Sequence, residues 1–114
     1  MMQIDYDIAE NQLLVRLEGE IDHHSSIQIR REIDDAIYAH LPQTLILDFQ
    51  NVTFMDSSGI GLIIGRHRIL QNLDGSDSEI ILSQPSPYIA NILRLANIEH
   101  IAKIQINHSE EVVS

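Results

Sequence analysis

Thr44-Leu45-Ile46-Leu47-Asp48-Phe49, followed after a short connection by Phe54-Met55-Asp56-Ser57-Ser58-Gly59-Ile60-Gly61-Leu62-Ile63-Ile64-Gly65-Arg66, is the stretch whose reading decides the fold. Leu45, Ile46 and Leu47 are apolar at consecutive positions, the pattern of a central strand buried on both faces. The run after Gly59 is too long for a strand. Its apolar residues Ile60, Ile63, Ile64 and Leu70, with Leu62, Ile69 and Leu73 beside them, predict a helix with a broad apolar face. A buried strand therefore enters a helix through Asp56-Ser57-Ser58-Gly59.

That junction has a chemistry of its own. The first turn of a helix presents free backbone N–H groups and the positive end of the macrodipole, and so favours a carboxylate, a hydroxyl or a phosphate. Asp56, Ser57 and Ser58 all stand where such a group belongs. In the plainest reading Asp56 or Ser57 caps the helix. Gly59 and Gly61 lack side chains and let another backbone, a ligand or a partner come close.

Upstream, Met2, Ile4, Tyr6 and Ile8 alternate with polar residues, and Leu13, Val15 and Leu17 do so again after Ala9-Glu10-Asn11-Gln12, which predicts a β-hairpin. Gly19 to His24 reads as a loop. Ser25 and Gln28 have the spacing of a capping box for a helix whose buried stripe is Ile29, Ile33, Ala36, Ile37 and Leu41, stopped at Pro42. Downstream, Asp74-Gly75-Ser76-Asp77-Ser78 is a turn-rich link to a short buried strand, Glu79-Ile80-Ile81-Leu82-Ser83. Strand, helix, strand implies a parallel crossover. Ser86-Pro87 reads as an N-cap with proline at the first helical position, and Ile89, Ile92, Leu93 and Ala96 share one face of a helix ending near Asn97. Ala102, Ile104 and Ile106 alternate as a short last strand, and Ser109-Glu110-Glu111 reads as the start of a further helix. The order of elements predicts an α/β domain, a mixed sheet of about four to five strands with helices packed against it.

Composition limits the function. At 114 residues with 44% hydrophobic residues, the chain has the length and apolar content of one domain with a core of its own, spanning residues 1–114. It contains no cysteine, which removes disulfides, thiolate metal sites and a cysteine nucleophile and suits a reducing cytoplasm. No signal-like opening and no apolar run near the ~20 residues of a membrane span are present, so neither export nor membrane insertion is expected. Seventeen acidic against seven basic residues give a formal charge of −10, which repels nucleic acid and anionic lipid and favours a basic partner surface.

The stretch from Phe54 to Arg66 resembles the signature of STAS-domain anti-sigma factor antagonists of the sporulation type found in spore-forming Firmicutes. Gly19-Glu20-Ile21-Asp22-His23-His24 is similar to the same family's loop between first strand and helix, at the expected distance. The similarity runs from about Ile4 to Ile106, with these two blocks as its specific parts. The resemblance implies a single STAS domain whose Ser57 is the serine phosphorylated by a dedicated kinase, with Ser58 the unmodified neighbour. It also implies that Asp22 lies near Ser57, and that Asp22, Asp56, Ser57, Ser58, Gly59, Ile60 and Gly61 form a partner-binding surface. The implied partner is an anti-sigma factor that is itself a GHKL-type serine kinase, antagonised by the unphosphorylated form. A phosphoserine phosphatase would restore that form. Relatives carry a longer C-terminal helix than the residues after Ile106 allow.

The remaining candidates carry less. Asp22 has the ordinary turn or capping reading beside the recognition one. His23 and His24 lack a metal-ligand spacing and read as helix-entry residues; His40, His67, His100 and His108 are scattered, and no metal is expected. Gly59, Gly61 and Gly65 are followed by no lysine in a G-x-x-x-x-G-K-[ST] arrangement, so nucleotide hydrolysis is not expected and no cofactor is implied. Arg66 and Arg68 read equally as solvated residues or as contacts. The sequence therefore predicts a regulatory protein, not an enzyme. A stressosome-like scaffold or a transporter-regulatory STAS module is the alternative, and a small phosphotransfer enzyme the rival from another class.

Overall fold

The alternation in Leu45, Leu47 and Phe49 buries one side of a 12-residue strand, β3, Thr44–Met55, at the centre of the structure. The computed structural model of the chain describes residues 2–74 and 77–106. Before β3 come β1 (Met2–Asp7), β2 (Gln12–Ile21) and α1 (His23–His40), and after it α2 (Ser57–Asp74), β4 (Glu79–Ser83), α3 (Pro87–Leu95), a 3₁₀ turn at Ile98–His100, and β5 (Lys103–Gln105). The five strands lie in the order β1-β2-β3-β4-β5, with β1 antiparallel to β2 and every later pair parallel. This is the expected α/β mixed sheet, and Ile4 opposite Val15 confirms the hairpin.

Register sets the core. Val15, Leu47 and Leu82 are neighbours across three strands, as are Leu13, Leu45 and Ile80, and all six are buried. Ile33 and Ile37 of α1, Leu62, Ile63 and Leu70 of α2, and Ile89 and Leu93 of α3 complete the same cluster. The helices therefore cover one face of the sheet. On the other face Leu14, Ile46 and Ile81 are in register, only half-buried and outside that cluster, which corrects the expectation of a central strand buried on both sides.

Other boundaries move as well. The predicted loop from Gly19 to His24 is strand as far as Ile21 and helix from His23. The capping box is Asp22 with Ser25 rather than Ser25 with Gln28: the Ser25 amide donates to Asp22 Oδ1 at 2.8 Å, and the Asp22 amide donates to Ser25 Oγ at 3.0 Å. Ile8 lies beyond β1 in the turn, 83% exposed, because Asp7 Oδ1 takes the Ala9 amide and bends the chain. Leu41 is not part of the buried stripe; it ends α1 in the left-handed region, φ 48°, and is exposed. Ser86 caps α3 as predicted, accepting from the Ile89 amide at 3.2 Å. The segment Ser109-Glu110-Glu111 lies outside the described residues.

Candidate partner-binding site

Parallel pairing of β2 with β3 ends at Ile21 opposite Met55, so the two strands deliver their following helices to the same end of the sheet. The Asp56 amide donates to the Ile21 carbonyl at 3.2 Å and continues the ladder one step past the last pair. Asp22 and Asp56, each the residue before a helix, are thereby neighbours in the fold although 34 positions separate them in the sequence.

Both carboxylates are turned to backbone amides. Asp22 caps α1 through the Ser25 amide, and that hydrogen bond, followed by the Ser25 hydroxyl and the charge of His24, holds its carboxyl below the ordinary value of 3.8. Asp56 Oδ1 accepts from the Ser58 amide at 2.8 Å, and the Asp56 carbonyl from the Gly59 amide at 3.0 Å, so Asp56 holds the first turn of α2. Of the two capping candidates at this junction, Asp56 takes the task. The Ser57 side chain is left exposed at the head of α2, whereas Ser58 is half-buried.

The glycines divide into two kinds. Gly59 is buried, and a Cβ on it would collide with the Cγ and Sδ of Met55 and touch Ile21, so Gly59 is what lets α2 sit down on the ends of β2 and β3. Gly61 is exposed, and a Cβ there meets nothing within 4 Å, as is also true of Gly65. Close packing explains Gly59 and explains neither of the others. Ile60 is half-buried and packs against the core cluster, and Phe54, 39% exposed, adds apolar surface just before the junction. His23 and His24 are exposed in the first turn of α1, the helix-entry position expected of them.

Sequence reasoning missed one pair. Arg66 is 6% exposed, with Nε 2.8 Å from Asp34 Oδ1, an ion pair that joins α2 to α1. The two atoms lack hydrogen-bond alignment, and Arg66 Nη1 has no hydrogen-bond partner among the described residues. Burial pushes the Asp34 carboxyl up and the Arg66 guanidinium down, each against the attraction of the other. The available signal was helical phase: Arg66 falls on the same side of α2 as the buried Gly59, Leu62, Ile63 and Leu70. Arg68, two residues on, is exposed.

This arrangement offers an exposed hydroxyl at a helix N-terminus, flanked by two capping carboxylates and a bare glycine face. A profile of the STAS domain matches residues 3–111. The chain belongs to the STAS domain family. Among curated proteins, this STAS domain is 33% identical over 106 residues to an anti-sigma F factor antagonist of Paenibacillus polymyxa, covering 93% of this chain and 88% of that one. It is 36% identical over 91 residues to an anti-sigma F factor antagonist of Lysinibacillus sphaericus, covering 80% and 75%. Among solved structures it matches the anti-sigma factor antagonist SpoIIAA in its unphosphorylated form, with TM-score 0.77, 31% identity and coverage of 98% and 93%. It also matches the phosphorylated form of the Bacillus cell fate determinant SpoIIAA, with TM-score 0.69, 31% identity and coverage of 98% and 96%. No helix among the described residues is long and apolar enough to cross a membrane.

Proposed function

We propose that this STAS domain is an anti-sigma factor antagonist switched by phosphorylation of Ser57. Its unmodified form binds an anti-sigma factor that is also a GHKL-type serine kinase, and so releases a sigma factor. The observation that carries this reading is the exposed Ser57 hydroxyl at the head of α2, beside the Asp22-capped start of α1, in a chain similar to antagonists known in unphosphorylated and phosphorylated forms. The surface that meets the partner comprises Asp22, Asp56, Ser57, Ser58, Ile60 and Gly61, with Gly59 beneath it as the residue that seats α2.

The switch is electrostatic. A phosphate adds about −1.5 to −2 charge and strong acceptor oxygens at a place already holding two carboxylates. At the head of its own helix that charge is locally favourable by ~0.3–1 kcal/mol, so the fold persists. A partner pressed against Ser57 must strip water from the dianion, and a badly matched buried charge costs ~2–5 kcal/mol. The protein does no catalysis in this scheme: the kinase adds the phosphoryl group and a separate phosphatase removes it.

Treatment with such a kinase and ATP, followed by mass spectrometry of the peptides, tests the acceptor. The phosphate is expected on Ser57 and absent from Ser57→Ala. Phosphate on Ser58, or modification of Ser57→Ala at the wild-type rate, contradicts the assignment.

A further inference from the structure

A cavity of about 340 Å³ opens on the other flank of α1, between the first turns of that helix and the end of β2. Its floor is apolar: Leu17 is buried, and Met2 and Ile29 are half-buried. Its rim is acidic, with the exposed Glu18 and Glu20 on the strand side and the exposed Glu32 on the helix side. The walls are fixed by hydrogen bonds. Ser25 Oγ donates to the Glu20 carbonyl at 2.8 Å, tying the helix start to the strand, and Gln28 Nε2 donates to Glu32 Oε2 at 2.9 Å, orienting that carboxylate. Gly19 also lines the cavity; its φ of 76° is one that side chains rarely adopt, and a Cβ there would meet nothing within 4 Å, so the wall at this point is bare backbone.

We infer that this cavity receives an arginine side chain presented by a protein partner. The occupant follows from the chemistry of the lining. A bare metal ion is a poor match, because the floor offers no oxygen ligands and among the described residues no three His, Cys, Asp or Glu side chains converge as a metal-binding group. Anionic lipid and a second copy of this chain are opposed by a net charge of −10. What fits an apolar floor under a rim of three glutamates is a cation on an aliphatic stem: the methylenes cover Leu17 and Ile29, and the charged head reaches the rim. Arginine suits this better than lysine, since its planar fork can serve two acceptors at once and is more weakly hydrated. The inference rests on the proposed function for the identity of the protein that carries the arginine. The chemical preference of the cavity does not.

Methyl NMR of the full chain, titrated with the peptide acetyl-Gly-Arg-Gly-amide, reads the cavity directly. The expected result is saturable shifts centred on the Leu17 and Ile29 methyls, at roughly tenfold lower concentration than for the isosteric citrulline peptide. Glu18→Gln, Glu20→Gln and Glu32→Gln together should abolish that preference, while Glu10→Gln, Asp35→Asn and Glu99→Gln together, which remove the same charge elsewhere, should keep it. Ser57→Ala should also keep it, which separates this test from that of the phosphorylation switch. Equal response to citrulline, shifts spread over the acidic surface without Leu17 and Ile29, an unchanged preference in the Glu18/Glu20/Glu32 triple variant, or no shifts at all would overturn the assignment.

Discussion

The Asp56 amide donates to the Ile21 carbonyl at 3.2 Å, one step beyond the last β2–β3 pair. That bond makes one surface of two helix starts that the sequence places far apart. Gly59 is the second requirement, since without a bare position there α2 could not approach Met55 and Ile21.

The glycines therefore predict opposite outcomes. Gly59→Ala adds a methyl where enclosed Met55 stands, an overpacking that costs ~1–3 kcal/mol and outweighs the ~1 kcal/mol gained in helix propensity. Gly61→Ala meets open space and should stabilise the fold by ~1 kcal/mol. Urea midpoints should move apart, down for the first and up for the second. Because Gly61 lies one turn beyond Ser57 on the same helical face, its variant should also weaken partner binding while it strengthens the fold.

How much of this was legible follows from where each signal lies in the chain. The strand at Leu45 to Leu47, the crossover helix and the Ser86 cap were readable because periodicity and caps are local. The length of β3 was not, because register shifts between Arg16 and Glu18 and between Gly19 and Glu20 break the two-residue alternation towards Met55. Ile46 looked like core because an apolar run does not reveal which face the helices cover. The Asp22–Ser25 capping box was missed because serine stands at the inner position, where glutamate or glutamine is the usual signature. Of the site, Asp56-Ser57-Ser58-Gly59 was visible as a strand-to-helix junction, whereas helical phase could turn Arg66 inward but could not name Asp34, 32 positions away, as its partner.

Asp22 should give the α1 start a pH dependence of known sign. Its carboxyl is held below the ordinary value of 3.8, so its cap contributes fully above that value and is lost as the pH falls through the lower folded-state value. Asp22→Asn retains a good N-cap without a titrating group, and Asp22→Ala loses the cap. Thermal unfolding at pH 7 should rank wild type and Asn together above Ala. Below pH 3.8 the advantage of wild type over Ala should shrink while that of Asn persists.

The Asp34–Arg66 pair should contribute specificity rather than stability, because burial disfavours both ions more than their attraction favours them. Arg66→Met leaves a partly buried carboxylate without its cation and should cost ~1–3 kcal/mol. Arg66→Met with Asp34→Leu should return to within ~1 kcal/mol of wild type, or exceed it. A double-mutant cycle by denaturant unfolding checks this, and a double variant as unstable as the single one would show that the pair holds the fold.

The most direct test of the switch is the affinity of the anti-sigma partner for the unmodified protein and for the Ser57-phosphorylated protein, measured beside their circular dichroism spectra. A desolvation cost of ~2–5 kcal/mol corresponds to binding weaker by roughly thirty-fold to several-thousand-fold, at ~1.4 kcal/mol per tenfold, with nearly superimposable spectra. Equal affinities would contradict the switch itself. A large loss of helical signal on phosphorylation would contradict the interface mechanism and replace it with refolding.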